Sequence, residues 1–166
     1  MKPETLPAGR QVSIIIVTYN SEGEIESCLQ SIIKHVKSDF EVIIVDNASR
    51  DKTVELILEY QRVKRSKIKI IKNNENVGFG SGCNIGMKNA KGDYFLILNP
   101  DTRMENDAVT TQVKYLQDHP EAGIVGAKIV NDEGKISASG GFSPTLLRII
   151  NWMLFIDDIP IFNKFL

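Results

Sequence analysis

VSIIIVTYNSEGEIESCLQSIIKHVKSDFEVIIV, residues 12–45, holds two kinds of pattern within one span. Val12 to Thr18 is almost wholly apolar and β-branched, as a strand buried on both faces of a parallel sheet must be. After it, Ser21 and Glu24 stand at capping-box spacing. Ile25, Cys28, Leu29, Ile32, Ile33 and Val36 then step by three and one, which gathers them on one face of a helix. Glu41 to Val45 returns to the buried-strand pattern. Strand, helix, strand in this order is a crossover unit, and a crossover makes its two strands parallel.

The same rhythm runs outward from this unit. Thr53 to Val63 carries a weaker helical pattern, IKII at 68–71 a third strand, Gly80 to Lys91 a helix rich in small residues, and YFLIL at 94–98 a fourth strand. Glu105 to Gln117 reads as a further helix, IVGAKIV at 124–130 as a fifth strand, and NDEG at 131–134 as a tight turn leading into Lys135 to Ser137. The expected fold class is therefore α/β, a three-layer sandwich around a mainly parallel sheet. Residues 1–11 form a polar extension, 12–142 the domain, and 143–166 an apolar helical tail opened by Ser143 and Pro144. Arg148, Asn151, Asp157 and Asp158 interrupt that tail too often for a membrane span.

Composition narrows the partners. Twenty Lys and Arg against twenty-one Asp and Glu give a net charge of −1, so no overall basic field attracts nucleic acid, and an anionic ligand must be caught locally. Cys28 and Cys83 lie on separate expected helices without metal-ligand spacing and read as two buried thiols. His35 and His119 fall at helix ends and carry no assigned chemistry. The N-terminus lacks the apolar stretch of a signal peptide, which favours the cytoplasm.

In an open parallel sheet, ligands sit beyond the carboxyl ends of the strands. Here every such end is polar: Thr18, Tyr19 and Asn20; Asp46, Asn47, Ala48 and Ser49; Asn73 to Gly82; and Asn99, Pro100, Asp101 and Thr102. Each segment alone has the composition of an ordinary turn. Their coincidence at four strand ends points to a binding crevice. The stretch NVGFGSGCNIG, 76–86, offers backbone amides at a helix start where phosphate can approach, although the same glycines would also let a helix pack tightly on the sheet. It fits neither the dinucleotide fingerprint nor the P-loop. Asp101 is the metal candidate, since a hard cation bridging a diphosphate needs only one or two protein carboxylates. Asp46 is placed to accept hydrogen bonds from a base or ribose.

SIIIVTYN, VIIVDNASRDKT, NENVGFGSGCNIGMKNAKGDYFLILNPDT and GKISASGGFSPTLLR, taken in order, resemble the family 2 glycosyltransferases of the GT-A fold, with the closest likeness to a bacterial rhamnosyltransferase-like branch. The resemblance covers Val12 to about Arg148. It implies that Thr18, Tyr19, Asn20, Glu22, Asp46, Asn47 and Ser49 hold the nucleotide. It puts Asn76, Gly78, Phe79, Gly80, Asn84, Asn99, Pro100 and Asp101 beside the sugar and diphosphate. The family's DXD element falls on Asn99-Pro100-Asp101, where Asn replaces the first acidic residue, and Asp101 would carry Mg²⁺ or Mn²⁺.

The implied reaction is inverting transfer of a sugar, rhamnose among the options, from a dTDP-, UDP- or GDP-linked donor to a polysaccharide or lipid-linked acceptor. The general base of such enzymes lies downstream, so the acceptor half is expected beyond Leu166 and no catalytic residue is assigned. The tail would then meet that half, the inner face of the membrane or a second copy of the chain. A non-catalytic nucleotide-sugar-binding module, self-associating or completed by a partner chain, is the alternative. A sugar-nucleotide-forming enzyme fits less well, because TYNSEGE is acidic where such enzymes carry a basic, Gly-rich loop.

Overall fold

The computed structural model describes residues 12–64, 68–131 and 134–137. The chain divides into two units at Val125 and Gly126. The first is built from β1 (Val12–Thr18), α1 (Ile25–His35), β2 (Phe40–Asp46), α2 (Thr53–Lys64), β3 (Ile68–Lys72), α3 (Phe79–Lys88), β4 (Tyr94–Leu98) and α4 (Ala108–Asp118). Its four strands form one parallel sheet in the order β3-β2-β1-β4. All four carboxyl ends therefore lie along one edge, with Thr18 paired to Asp46 and Asp46 to Lys72 at the tips.

Strand alternation sorts the core into two layers. Val12, Ile14 and Ile16 of β1, with Val42 and Ile44 of β2, meet Cys28, Leu29 and Ile32 of α1, Ile57 and Tyr60 of α2, and Val109 and Val113 of α4. On the opposite face Val17, Ile43 and Val45 meet Cys83 of α3, with Ile85 and Met87 partly buried around them. Helices on both faces make the expected three-layer sandwich. Gly82 and Gly86 bring α3 down onto β1, because a Cβ added at either would stand 2.8 Å from Val17 Cγ1 or 2.4 Å from Ile15 Cγ2. The outer strand β4 leaves Phe95 50% and Ile97 40% exposed on the α3 face.

Several boundaries differ from the sequence reading. The capping box before α1 does not form: Glu24 is the N-cap without a side-chain bond, and the Ser21 carbonyl accepts from the amides of both Glu24 and Ile25. The chain is diverted there because the Ser21 amide is taken by Thr53 Oγ1 at 2.7 Å. The fourth helix starts at Ala108, not Glu105, because the Asp107 side chain caps it by accepting from the Thr110 amide. α3 ends at Lys88, where the Asn89 amide bonds the Gly86 and Met87 carbonyls.

In the second unit only Ile129–Val130 of the expected 124–130 strand is extended, paired as β5 with β6 (Ile136–Ser137) in an antiparallel hairpin. Among the described residues, 124–128 pairs with no strand, and Ile124 is 92% exposed. The turn is as read: Gly134 has φ of 74°, and its amide bonds the Asn131 carbonyl. The extension 1–11 and the tail 143–166 lie outside the described residues. Both cysteines are free and buried. Among the described residues no helix is long and apolar enough to cross a membrane.

Candidate functional site

The carboxyl edge of the sheet is assembled by hydrogen bonds that carry the β-ladder past its last pairs. The Asn47 amide bonds the Thr18 carbonyl and the Asn73 amide bonds the Asp46 carbonyl, both at 2.8 Å, so the tips of β1, β2 and β3 are fixed to one another. Asp46 is 2% exposed, and its carboxylate takes donors from the end of β1 and from the loop after β2. Its Oδ1 accepts from Thr18 Oγ1 at 3.0 Å and from Ser49 Oγ, while Oδ2 accepts from the Ser49 amide at 3.0 Å. A buried carboxylate needs such donors to offset its lost hydration. The turn they close holds Ala48 at φ of 61°, a left-handed conformation that is costly for a residue with a Cβ.

Asn47, also 2% exposed, joins the second strand tip to the glycine-rich loop. Its Nδ2 donates to the Gly78 carbonyl at 3.2 Å and its Oδ1 accepts from Asn73 Nδ2 at 2.8 Å. Gly78 has φ of 83° and is the N-cap of α3, with its own amide held by Asn76 Oδ1 at 2.9 Å. No side chain caps the helix, so its first-turn amides face outward without intrahelical partners. Phe79 and Gly80 are exposed at this end, and Asn84 is exposed on the next turn.

Asn20 and Glu22 tie the loop after β1 to the loop after β2. Asn20 sits at φ of 52°, takes the Arg50 amide on Oδ1 at 2.9 Å, and gives its own amide to Ser49 Oγ. Glu22 Oε2 accepts from the Lys52 amide at 2.8 Å, and the Glu22 amide donates to Asp51 Oδ2 at 3.1 Å. These bonds lace the loop after β1 to the loop after β2. Asp51 and Thr53 complete the lacing, since Thr53 gives both its hydroxyl and its amide to Asp51 Oδ1. Desolvation alone would raise the Asp51 carboxyl. The hydrogen bonds from Thr53 and Glu22 together outweigh it and hold the group below the usual carboxylate range. Tyr19, 49% exposed, is the large side chain that this lacing leaves open to the crevice edge.

At the fourth tip, Asn99-Pro100-Asp101-Thr102 is a turn closed by the Thr102 amide on the Asn99 carbonyl at 3.2 Å. Asn99 and Asp101 are exposed and Pro100 is half-buried. The turn rests on α1: Cys28 Sγ lies 3.8 Å from the Asn99 carbonyl oxygen, and the Met104 amide donates to Ser31 Oγ at 3.0 Å. Burial, and then the negative charge of Asp101, push the Cys28 thiol up to about 12, so it stays a protonated donor. No cluster of three or more His, Cys, Asp or Glu exists among the described residues. Asp101 offers a single exposed carboxylate, which fits a cation whose remaining ligands are phosphate oxygens and water. The sequence reading did not single out Asp51, Thr53 or Ser31. Asp-x-Thr at the entry to a helix is a turn signature that marks the first two, whereas a Ser inside an amphipathic helix carries no local signal.

A parallel sheet with loops joined at its carboxyl edge, a glycine-led helix start without a side-chain cap and the exposed carboxylate of Asp101 defines an open α/β domain of the kind whose ligands sit beyond the strand ends. Residues 13–147 match the family described as Glycosyl transferase family 2, and the chain belongs to that family, with the GT-A architecture. The chain is similar to the poly(ribitol-phosphate) β-N-acetylglucosaminyltransferase TarS of Staphylococcus aureus strain Mu50, with 29% identity over 125 residues, 74% of this chain and 22% of that protein. The crystal structure of S. aureus TarS residues 1–349 with UDP-GlcNAc superposes with a TM-score of 0.60 at 27% identity, covering 66% of this chain and 32% of that one. The mannosyltransferase PcManGT of Pyrobaculum calidifontis with GDP-Man and Mn²⁺ gives 0.62 at 25% identity, covering 65% and 32%. The chain thus spans about a fifth of TarS and a third of each of these solved chains.

Proposed function

We propose that the carboxyl edge of β1, β2, β3 and β4 binds a nucleoside-diphosphate sugar and supplies the donor side of an inverting glycosyl transfer. The observation that carries this reading is the joining of three strand tips through Asp46 and Asn47, on the sheet edge where β4 leads into the exposed carboxylate of Asp101. Asp46 Oδ2 has one donor against two on Oδ1, and this remaining acceptor capacity suits an N–H or O–H of a base or ribose. Thr18, Tyr19, Asn20, Glu22, Asn47 and Ser49 shape that pocket. Asn76, Gly78, Phe79, Gly80 and Asn84 border the diphosphate and sugar, where the first-turn amides of α3 favour negative charge.

Asp101, with Asn99 and Pro100 setting its turn, would hold Mg²⁺ or Mn²⁺, which supplies positive charge to the departing diphosphate. In the transfer, an acceptor hydroxyl oxygen bonds to the anomeric carbon from the face opposite the diphosphate. The bond from that carbon to the phosphate oxygen breaks with its electron pair, and the acceptor proton goes to a general base. We assign no described residue to that base. UDP-GlcNAc and GDP-Man in the similar solved chains support a nucleotide sugar as ligand. The motif likeness favours a deoxysugar such as rhamnose and a polysaccharide or lipid-linked acceptor, at the cytoplasmic face of the membrane.

Calorimetric titration of the chain with UDP, dTDP and GDP, each with and without Mn²⁺, tests the reading. Metal-dependent binding of one diphosphate, lost in Asp101→Ala, is expected. A folded chain that binds none of the three overturns it.

A further inference from the structure

The turn that presents Asp101 follows β4 and is tied to α1. Its two ends rest on one face of α1, at residues one helical turn apart. At the entrance, the Cys28 thiol points to the Asn99 carbonyl at 3.8 Å. At the exit, Ser31 Oγ accepts the Met104 amide at 3.0 Å, while the Ser31 hydroxyl hydrogen goes to the Cys28 carbonyl at 2.7 Å. Cys28 and Ser31 are both buried, and Met104 packs against the main core. The hydroxyl is thus oriented by its own donor bond, which leaves a lone pair aimed at Met104.

The two contacts are unequal. A thiol is a weak donor, whereas a part-buried amide that loses its acceptor has nothing to replace it. The Ser31 bond is therefore the stronger restraint on the segment from Asn99 to Met104, and Asp101 lies in its middle with its carboxylate exposed.

We propose that Ser31 is a positioning residue: by holding the Met104 amide it fixes the Asn99–Met104 turn, and through it sets the Asp101 carboxylate for a divalent cation bound with a nucleoside diphosphate. This role rests on the reading of Asp101 given above. It assigns to the first helix a function that neither the strand tips nor the glycine-rich loop performs. Ser31 touches neither cation nor nucleotide, so its removal acts on the metal-dependent part of binding and not on the contacts to the base.

The test is calorimetric titration of the whole chain with UDP, dTDP and GDP, each as its Mn²⁺ complex and each free in EDTA. The proteins are the wild type, Ser31→Ala, Ser31→Thr and Asp101→Ala, and thermal unfolding of each is followed by circular dichroism. With the diphosphate that binds the wild type, Ser31→Ala is expected to weaken the Mn²⁺ complex about tenfold while affinity in EDTA changes less than about twofold. Ser31→Thr keeps the hydroxyl and is expected to restore the Mn²⁺ complex to within about threefold of wild type. Equal weakening with and without Mn²⁺ would make Ser31 a general structural residue and overturn the proposal. So would Mn²⁺-complex binding by Ser31→Ala at the wild-type level while Asp101→Ala loses it, an outcome that leaves the Asp101 reading standing. If Asp101→Ala binds the Mn²⁺ complex like wild type, or if the wild type binds none of the diphosphates, the Asp101 reading fails and the anchoring role fails with it.

Discussion

Replacing Gly86 by Ala probes how closely α3 must approach the sheet. The added Cβ would lie 2.4 Å from Ile15 Cγ2, more than 1 Å inside the roughly 3.5–4.0 Å at which carbon atoms rest. Ile15 is fully buried on β1, between β2 and β4, and cannot retreat. Either its rotamer changes or α3 lifts, and such overpacking costs about 1–3 kcal/mol. A contact this short belongs at the upper end of that range. Ala gains back about 1 kcal/mol over Gly in helix propensity, so a net loss of about 2 kcal/mol is expected. Urea unfolding followed by circular dichroism gives the value. Ile15→Ala alone should cost about 2–5 kcal/mol, but in the double variant the new methyl finds space and the two losses should sum to more than the pair costs together. Gly86→Ala proving more stable than wild type, as propensity alone dictates, would refute the close approach.

Further outcomes follow from particular residues. Ala48→Gly relieves a left-handed φ of 61° that costs Ala about 1–2 kcal/mol, against about 0.4–1 kcal/mol of added unfolded-state freedom. Thermal melts should show unchanged to modestly raised stability, and a clear drop would contradict the strain. The Asp51 carboxyl is lowered in the folded chain. Its contribution is therefore present above the unfolded value of about 3.9 and is lost as pH falls through the lower folded value. Asp51→Asn should accordingly be less stable than wild type at neutral pH, and the difference should shrink in acid unfolding curves; a difference that grows in acid would refute it. Cys28 and Cys83, both buried with raised thiol values, should react with a thiol reagent only as the chain unfolds in denaturant. Rapid labelling of either thiol in the native chain would contradict their burial.

The sheet was legible because its strands announce themselves: VSIIIVT and EVIIV have no polar face, and that happens only under helices on both sides. The polar strand ends were legible too, since such residues have no role in a core, and the structure ties three of the four tips together at one edge of the sheet. What stayed hidden depended on contacts between segments distant in sequence. Ser21 and Glu24 have capping-box spacing, but Thr53 claims the Ser21 amide, a competition invisible from residues 21–24. Glu22 and Asn20 read as ligand contacts, yet the structure shows what else they hold, the amides of Lys52 and Arg50 on the next loop. IVGAKIV has strand composition, but strand formation also requires a neighbour, and among the described residues its last two have one and the rest do not. Ser31 was silent because its partner is 73 residues away.

The most direct test of the account locates the cation on the chain. Mn²⁺ is added in small steps to isotope-labelled chain saturated with UDP, or with whichever of dTDP and GDP binds more tightly, and paramagnetic broadening of assigned amide signals is followed by NMR. The account predicts that the amides of Asn99 and of residues 101–104 broaden first, followed by those at the start of α3 near Gly78, and that Asp101→Ala abolishes the effect. Broadening centred elsewhere, or unchanged by that substitution, would contradict it.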